Sequence, residues 1–314
     1  MVDHRFAVLD IEKRILAPVG GEVRDCAGLT ASEALAACAD ADAIIVGARF
    51  QLNAAALTTL ERCRVIVRYG IGYDNIDVST AAADGIWVAT VPDYCIDEVA
   101  DHTMASLLAL NRRLAKLDSL VRCGSWGIPL GFAVRRLSEC TLGVIGFGRI
   151  GEAVARRARA FGLRVLAHDP VRPEQDVRAA GAEPAQIDEL LPLADYVSLH
   201  APRADDGPLL DARRLAMLRH GACVINVARG GLIDEQALIR GLEAGSIGGA
   251  ALDVAEAEPI DVHDPLLSAP NLIVTPHAAW YSKEAVVELR EKAAAEAARV
   301  LAGERPLHPV NKPR

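Results

Sequence analysis

Six residues, Gly146-Phe147-Gly148-Arg149-Ile150-Gly151, constrain this chain more than any others. They follow directly on an apolar run, Leu142–Ile145, and open a stretch with helical periodicity. The first glycine of such a loop permits a tight turn, the second lets a pyrophosphate approach the backbone, and the third lets helix and strand pack closely. The amides at the helix start face the anion. Alone the pattern is a weak signal. Here a second apolar run, Val165–His168, follows the helix and ends at Asp169, 23 residues after Gly146. A carboxylate there accepts hydrogen bonds from ribose hydroxyls and repels a 2′-phosphate, which predicts NAD over NADP. The plainer use of Asp169-Pro170 is a strand-ending turn, and Arg172 sets a cation close by.

The rest of the chain repeats the same βα grammar. Its 314 residues suggest about two domains. Short β-branched runs at Phe6–Leu9, Ala43–Gly47, Val65–Tyr69 and Trp87–Val91 alternate with helical patterns at Thr30–Ala39 and Asn53–Arg62. One long helix is expected over Asp97–Val121, with Asp97 and Glu98 at its positive end. An irregular, glycine-bearing stretch runs from Cys123 to Arg136. Six further strands are predicted: Leu142–Ile145, Val165–His168, Tyr196–His200, Cys223–Val227, Ala250–Val254 and Leu272–Thr275. Six is the count of a full dinucleotide-binding sheet. A last amphipathic helix, Ser282–Gly303, is superfluous to that sheet and is expected to return to the first unit. The fold class is therefore α/β, with a Rossmann domain over 96–281 inserted into a smaller domain made of 1–95 and 282–314.

Composition removes several function classes. A net charge of −8 and a pI near 5.5, with only scattered arginine pairs, argue against direct nucleic-acid binding. The apolar runs are too short to span a bilayer, so no membrane role is expected. Seven cysteines without C-x-x-C or metal-ligand spacing read as reduced thiols in a cytoplasmic protein that holds no metal.

Oxidising an alcohol with a dinucleotide needs a base for the hydroxyl proton and a cation for a carboxylate and a developing keto oxygen. Three segments at predicted strand ends carry such groups: Asn226–Gly231 with Arg229, Asp253–Pro259 with Glu256 and Glu258, and Thr275–Trp280 with His277. Ligands of open α/β sheets bind at those carboxyl ends. A carboxylate beside a histidine favours the imidazolium and poises it near neutral pH. Singly, each residue has an ordinary structural use: a helix cap, a satisfied histidine, a solvated loop charge. Their co-occurrence behind the glycine loop gives them weight.

With these segments, the chain resembles the D-isomer-specific 2-hydroxyacid dehydrogenase family along essentially its whole length. Tyr69–Asp77, Gly143–Gly151, Asn226–Asp234, Asp253–Pro259 and Thr275–Trp280 carry the resemblance. It implies that the smaller domain is flavodoxin-like and that a cleft closes by hinge motion. It implies that Arg229 holds the substrate, His277 is the acid/base, and Glu258, which directly precedes the proline, is the histidine's partner. Cofactor contacts are implied for Gly146 to Gly151, Asp169, His200, Ala201, Pro202, Val227, Ala228 and Asp253, the last against the nicotinamide carboxamide. The loop Arg68, Tyr69, Gly70, Ile71, Gly72 is implied to cradle the substrate carboxylate with its amides.

Arg68 and His277–Ser282 look most like the C-terminal binding protein subgroup, which includes NAD(H)-binding corepressors; Trp280 is implied as a wall of the substrate pocket. The stretch Arg203-Ala204-Asp205-Asp206-Gly207 departs from the family's threonine-bearing pattern. The chain ends at Arg314, so the C-terminal regulatory domain of many phosphoglycerate dehydrogenases is not expected. A homodimer through 97–136, including Trp126 and Phe132, is implied by the family. The leading expectation is an NAD-dependent enzyme acting on a small D-2-hydroxy acid or 2-keto acid. The alternatives are an NAD(H)-sensing corepressor-like protein and a D-3-phosphoglycerate dehydrogenase without a regulatory domain.

Overall fold

Strand-forming runs separated by capped helices give a mixed α/β chain with parallel sheets. A computed structural model describes residues 1–129, 134–203 and 207–313. Phe132, Ala204, Asp205 and Asp206, singled out above, lie outside the described residues. The chain divides into two compact units, Met1–Cys95 with Tyr281–Arg314, and Ile96–Trp280.

In the first unit the chain runs through α1 (Asp10–Leu16), α2 (Ala31–Cys38), β1 (Ala43–Val46), α3 (Ala54–Leu57), β2 (Val65–Arg68), α4 (Val78–Ala83) and β3 (Trp87–Ala89). The three strands form one parallel sheet in the order β1-β2-β3. Their side chains, among them Ile44, Ile66 and Val88, are buried on a common core. Thr30 starts α2 with a capping box: its hydroxyl accepts from the Glu33 amide and its own amide donates to the Glu33 carboxylate. Asn53 caps α3, which spans only Ala54–Leu57 of the longer helix expected there.

The expected first strand, Phe6–Leu9, does not form. Its place beside β1 is taken by a single parallel bridge from Val2 to Val46. Phe6 instead stacks edge-on against Tyr69, with ring centroids 5.4 Å apart, and lies 4.4 Å beneath the Arg290 guanidinium. The segment thus serves helix packing and not the sheet.

The second unit contains α5 (Ile96–Arg112), α6 (Leu114–Arg122), β4 (Thr141–Ile145), α7 (Arg149–Ala160), β5 (Arg164–His168), α8 (Glu174–Ala179), β6 (Glu183–Pro184), α9 (Ile187–Leu190), β7 (Tyr196–Leu199), α10 (Ala212–Met217), β8 (Ala222–Asn226), α11 (Glu235–Glu243), β9 (Ile247–Leu252) and β10 (Leu272–Val274). All seven strands are parallel, in the order β10-β9-β8-β7-β4-β5-β6. The order reverses between β4 and β7, which is the switch point where such sheets bind ligands. The two-residue strand β6 is one more than the sequence reading expected.

The single helix expected over Asp97–Val121 is two. Arg113 adopts φ +54° and donates from Nη1 to the Gly248 carbonyl at 2.8 Å, ending α5 and starting α6 on a new axis. No residue of α6 is buried.

After the second unit, α12 (Lys283–Leu301) begins at Ser282, whose hydroxyl accepts from the Ala285 amide. It packs on α1 and on β1 and β2, and residues 308–310 then pair antiparallel with β3. Among the described residues, no helix is long and apolar enough to cross a membrane.

Candidate active site

The glycine loop leaves β4 at the switch point. Gly146 has φ +90°, and a Cβ there would stand 2.5 Å from the His200 backbone. A Cβ on Gly151 would meet the Gly146 carbonyl at 2.1 Å. Gly148 has nothing within 4 Å of its Cβ position and lies on an exposed face with Arg149. The loop is therefore closed on the protein side and open on the other, with the first turn of α7 aimed outward. This shape fits a pyrophosphate held on backbone amides. Phe147 is fully buried, so it anchors the loop and can offer a ligand only its main chain.

Asp169 follows β5 directly. Its Oδ2 accepts from the Phe147 amide at 2.8 Å, and its Oδ1 from the Val171 and Arg172 amides, both at 2.9 Å. Burial acts to raise its pKa, but the three amides outweigh that and hold the carboxyl below its ordinary value. An ionised carboxylate at this corner suits a ribose diol. His200, after β7, bonds to Ser198 Oγ at 2.8 Å, and burial pushes its pKa down to about 3. The ring is neutral near pH 7, and Ala201 and Pro202 continue from it onto the surface.

The loops after β8, β9 and β10 carry the reactive groups. Asn226 ends β8 and bonds to its own loop, donating to the Arg229 carbonyl and accepting from the Ala228 amide. That turn follows the buried Val227 and presents the half-buried Arg229, whose Nη1 also donates to the Ala228 carbonyl at 2.7 Å. Gly230 leaves no room for a side chain: a Cβ would stand 1.8 Å from the Ala255 carbonyl. The Arg229 loop and the 253–258 loop are thereby in contact.

His277 donates from Nδ1 to Glu258 Oε2 at 2.8 Å, and each side chain is 40% exposed. For Glu258, burial acts upward, but the His277 hydrogen bond and charge, the Ala255 amide and Arg229 together hold the pKa below its ordinary value. With Nδ1 committed to a carboxylate, Nε2 is the nitrogen left to exchange a proton. His277 has φ +54°, a left-handed conformation that histidine tolerates better than β-branched residues. Its amide, donating to the Asp253 and Thr275 carbonyls, holds it there. Of the two glutamates, Glu258 is the one bonded to His277, while the Glu256 amide donates to Glu235.

Asp253, which the resemblance sets against the nicotinamide carboxamide, has a side chain only 1% exposed. It accepts from Thr275 Oγ1 at 2.5 Å, the Ala278 amide at 2.9 Å and the Ala279 amide at 2.8 Å. It organises the turn that carries His277. His102 on α5 reaches the same network through Thr275 Oγ1 at 3.1 Å; only the structure joins it to a motif more than 170 residues away. Trp280 donates from its indole to the His277 carbonyl at 3.0 Å and so braces that turn.

In the other unit, the loop Arg68–Gly72 leaves β2. Gly70 has φ +136°, and Arg68 curls back to donate to the Tyr69 carbonyl at 2.7 Å. The Tyr69 side chain turns inward, not toward a ligand. Its hydroxyl donates to Glu12 Oε1 at 2.9 Å, and Arg290 grips both oxygens of Glu12 at 2.7 and 2.6 Å. Ile71, half-buried, and Gly72, buried, complete the loop. Among the described residues, no group of three or more His, Cys, Asp or Glu is arranged to hold a metal ion.

Comparison with known proteins agrees with this geometry. The family model described as D-isomer specific 2-hydroxyacid dehydrogenase, NAD binding domain, matches residues 104–279. A glyoxylate reductase of Korarchaeum cryptofilum is 36% identical over 277 residues, which cover 87% of this chain and 83% of that protein. A D-3-phosphoglycerate dehydrogenase of Methanocaldococcus jannaschii is 38% identical over 295 residues, 93% of this chain and 56% of that one. The crystal structure of D-lactate dehydrogenase from Aquifex aeolicus, complexed with NAD and lactic acid, superposes with a TM-score of 0.83 at 29% identity, covering 93% of this chain and 92% of that one. None of these three is a corepressor, and the likeness to that subgroup stays with Arg68 and His277–Ser282 themselves.

Proposed function

The chain belongs to the D-isomer-specific 2-hydroxyacid dehydrogenase family and is an NAD-dependent oxidoreductase, and on that premise we propose that it reduces a small 2-keto acid with His277, Glu258 and Arg229 as its working groups. The observation that carries the assignment is the 2.8 Å bond from His277 Nδ1 to Glu258. It fixes the tautomer and leaves Nε2 to move the proton.

When bound, NAD supplies the hydride acceptor and its reduced form the hydride donor. Everything else falls to the protein. Gly148 and the amides opening α7 hold the pyrophosphate, and Asp169 takes the ribose hydroxyls and favours NAD over NADP. Val227 and Ala228, with His200, Ala201 and Pro202, line the remaining cofactor groove from the ends of β8 and β7. Arg229 pairs with the substrate carboxylate and polarises the keto oxygen. His277, as imidazolium, hands its Nε2 proton to that oxygen in reduction and takes it back in oxidation. Glu258 steadies the charged ring. The smaller domain we assign to 1–95 and 282–314.

The homodimer belongs to the same reading. It is supported by α6, which buries none of its residues, and by Trp126, 91% exposed, and Ile128, 82% exposed, just beyond it. A second copy of this chain covers them. The free thiols, buried except Cys123, fit a reducing cytoplasm.

The test follows NADH oxidation with glyoxylate, pyruvate, hydroxypyruvate and phosphohydroxypyruvate. Turnover with the unphosphorylated acids, lost in His277→Ala while NADH still binds, is the expected result. Tight NADH binding without turnover of any acid would overturn it in favour of a sensor. A preference for phosphohydroxypyruvate would move the substrate to the phosphorylated class.

A further inference from the structure

Arg172 is the guanidinium whose own amide bonds to Asp169, at 2.9 Å. In dinucleotide sites an arginine near this acidic residue accommodates the 2′-phosphate that separates NADP from NAD. Arg172 is turned back onto the glycine loop. Its Nη1 donates to the Phe147 carbonyl at 2.9 Å and pairs with Glu152 Oε2 at 2.7 Å. Its guanidinium carbon lies 5.2 Å from the centroid of the buried Phe147 ring. Glu152 stands in the first turn of α7, and both partners keep part of their surface, 39% for Glu152 and 26% for Arg172.

Three contacts thus hold one cation against the glycine loop, and a carboxylate offsets its charge. We propose that Glu152 determines coenzyme specificity by retaining Arg172 over Phe147, so that the guanidinium beside Asp169 is withheld from a 2′-phosphate. Asp169 repels the phosphate; Glu152 removes the group that would receive it. The inference rests on the assignment of the glycine loop and Asp169 as the dinucleotide site.

Binding of the adenosine half alone, without turnover, tests it. ADP-ribose and its 2′-phosphorylated analogue are titrated calorimetrically into wild type, Glu152→Gln, Arg172→Ala and the double variant, each checked by its thermal melt. Glu152→Gln is expected to tighten the phosphorylated fragment roughly tenfold, the worth of one charge-assisted hydrogen bond gained, and to leave ADP-ribose within about twofold. Arg172→Ala in that background is expected to abolish the gain. If wild type prefers ADP-ribose but Glu152→Gln leaves the ratio unchanged, the role of Glu152 is overturned and the Asp169 assignment stands. A gain that survives in the double variant also overturns it, because lost repulsion, not a released arginine, would then be the cause. A wild-type preference for the phosphorylated fragment overturns the Asp169 assignment and this inference together.

Discussion

Each unit of the molecule contains a carboxylate paired with a cation, and the two pairs are built for opposite ends. In the smaller unit Glu12 is fully buried and Arg290 nearly so, joined by two hydrogen bonds and braced by Tyr69. In the larger unit Glu258 and His277 share one bond and stay 40% exposed. Burial acts to raise the pKa of Glu12, but Arg290, the helix backbone and Tyr69 overcome it and leave the carboxyl below its ordinary value. Arg290 itself is raised, chiefly by its hydrogen bond to Glu12. That pair does not change charge under physiological conditions. The second pair uses the one side chain whose ordinary titration falls near neutrality, and leaves it within reach of solvent and substrate. A closed ion pair holds shape; on the function proposed above, the half-open one moves protons.

Four substitutions test this contrast. The largest effect is expected from His277→Ala, which should lower turnover about 10²–10⁴-fold while the midpoint of urea unfolding stays close to wild type. Steady-state rates beside a denaturation curve separate the two, and a variant that instead fails to fold would make the pair structural after all. Glu12→Gln should behave the other way round. Leaving Arg290 buried without its partner is expected to destabilise by about 3–5 kcal/mol, with turnover per folded molecule little changed.

That second variant also has a pH signature. The folded pKa of Glu12 lies below its ordinary 4.5, so the unfolded chain binds more protons in acid. The stabilisation is complete above that ordinary value and is lost as pH falls through the folded one. The stability gap between wild type and Glu12→Gln should therefore narrow on the acid side, as urea titrations at neutral and acid pH will show.

A smaller change is expected for Glu258→Gln. Without the carboxylate, Nδ1 of His277 loses the acceptor that fixes its ring, so kcat/KM for keto-acid reduction should fall roughly tenfold or more. Steady-state rates at neutral pH read the loss. Smallest is Tyr69→Phe, which removes one hydrogen bond to Glu12 and is expected to cost about 1 kcal/mol.

What was legible in the sequence is what is local. The glycine loop and Asp169 lie within one βαβ unit, and chain geometry alone brings them together. The Arg229, Glu258 and His277 motifs sit at successive strand ends, where a parallel sheet must place them side by side. Glu12 and Arg290 are 278 residues apart, and no spacing rule joins them. The same holds for His102 and Thr275. Phe6–Leu9 has the composition of a strand but loses its place to helix packing, because Arg290 takes the Val8 carbonyl that a sheet partner would need. The break at Arg113 is a tertiary effect: a helix-forming sequence bends to reach Gly248. The turn contacts of Asp253 were hidden for a related reason, since a buried carboxylate looks the same in sequence whether it meets a ligand or its own turn.

The contact between Gly146 and His200 has a consequence for anyone wishing to redesign this mouth. Two loops from neighbouring strands meet there without space for a single methyl group. Neither can be enlarged or displaced without the other, so the inner wall is closed to point substitution. The rim is different. Asp169, Arg172 and Glu152 face partly outward and meet one another through side chains or through amides that a substitution leaves in place. On the coenzyme site proposed above, changes in coenzyme choice fall to three positions on one edge, and a library confined to them leaves the closed wall untouched.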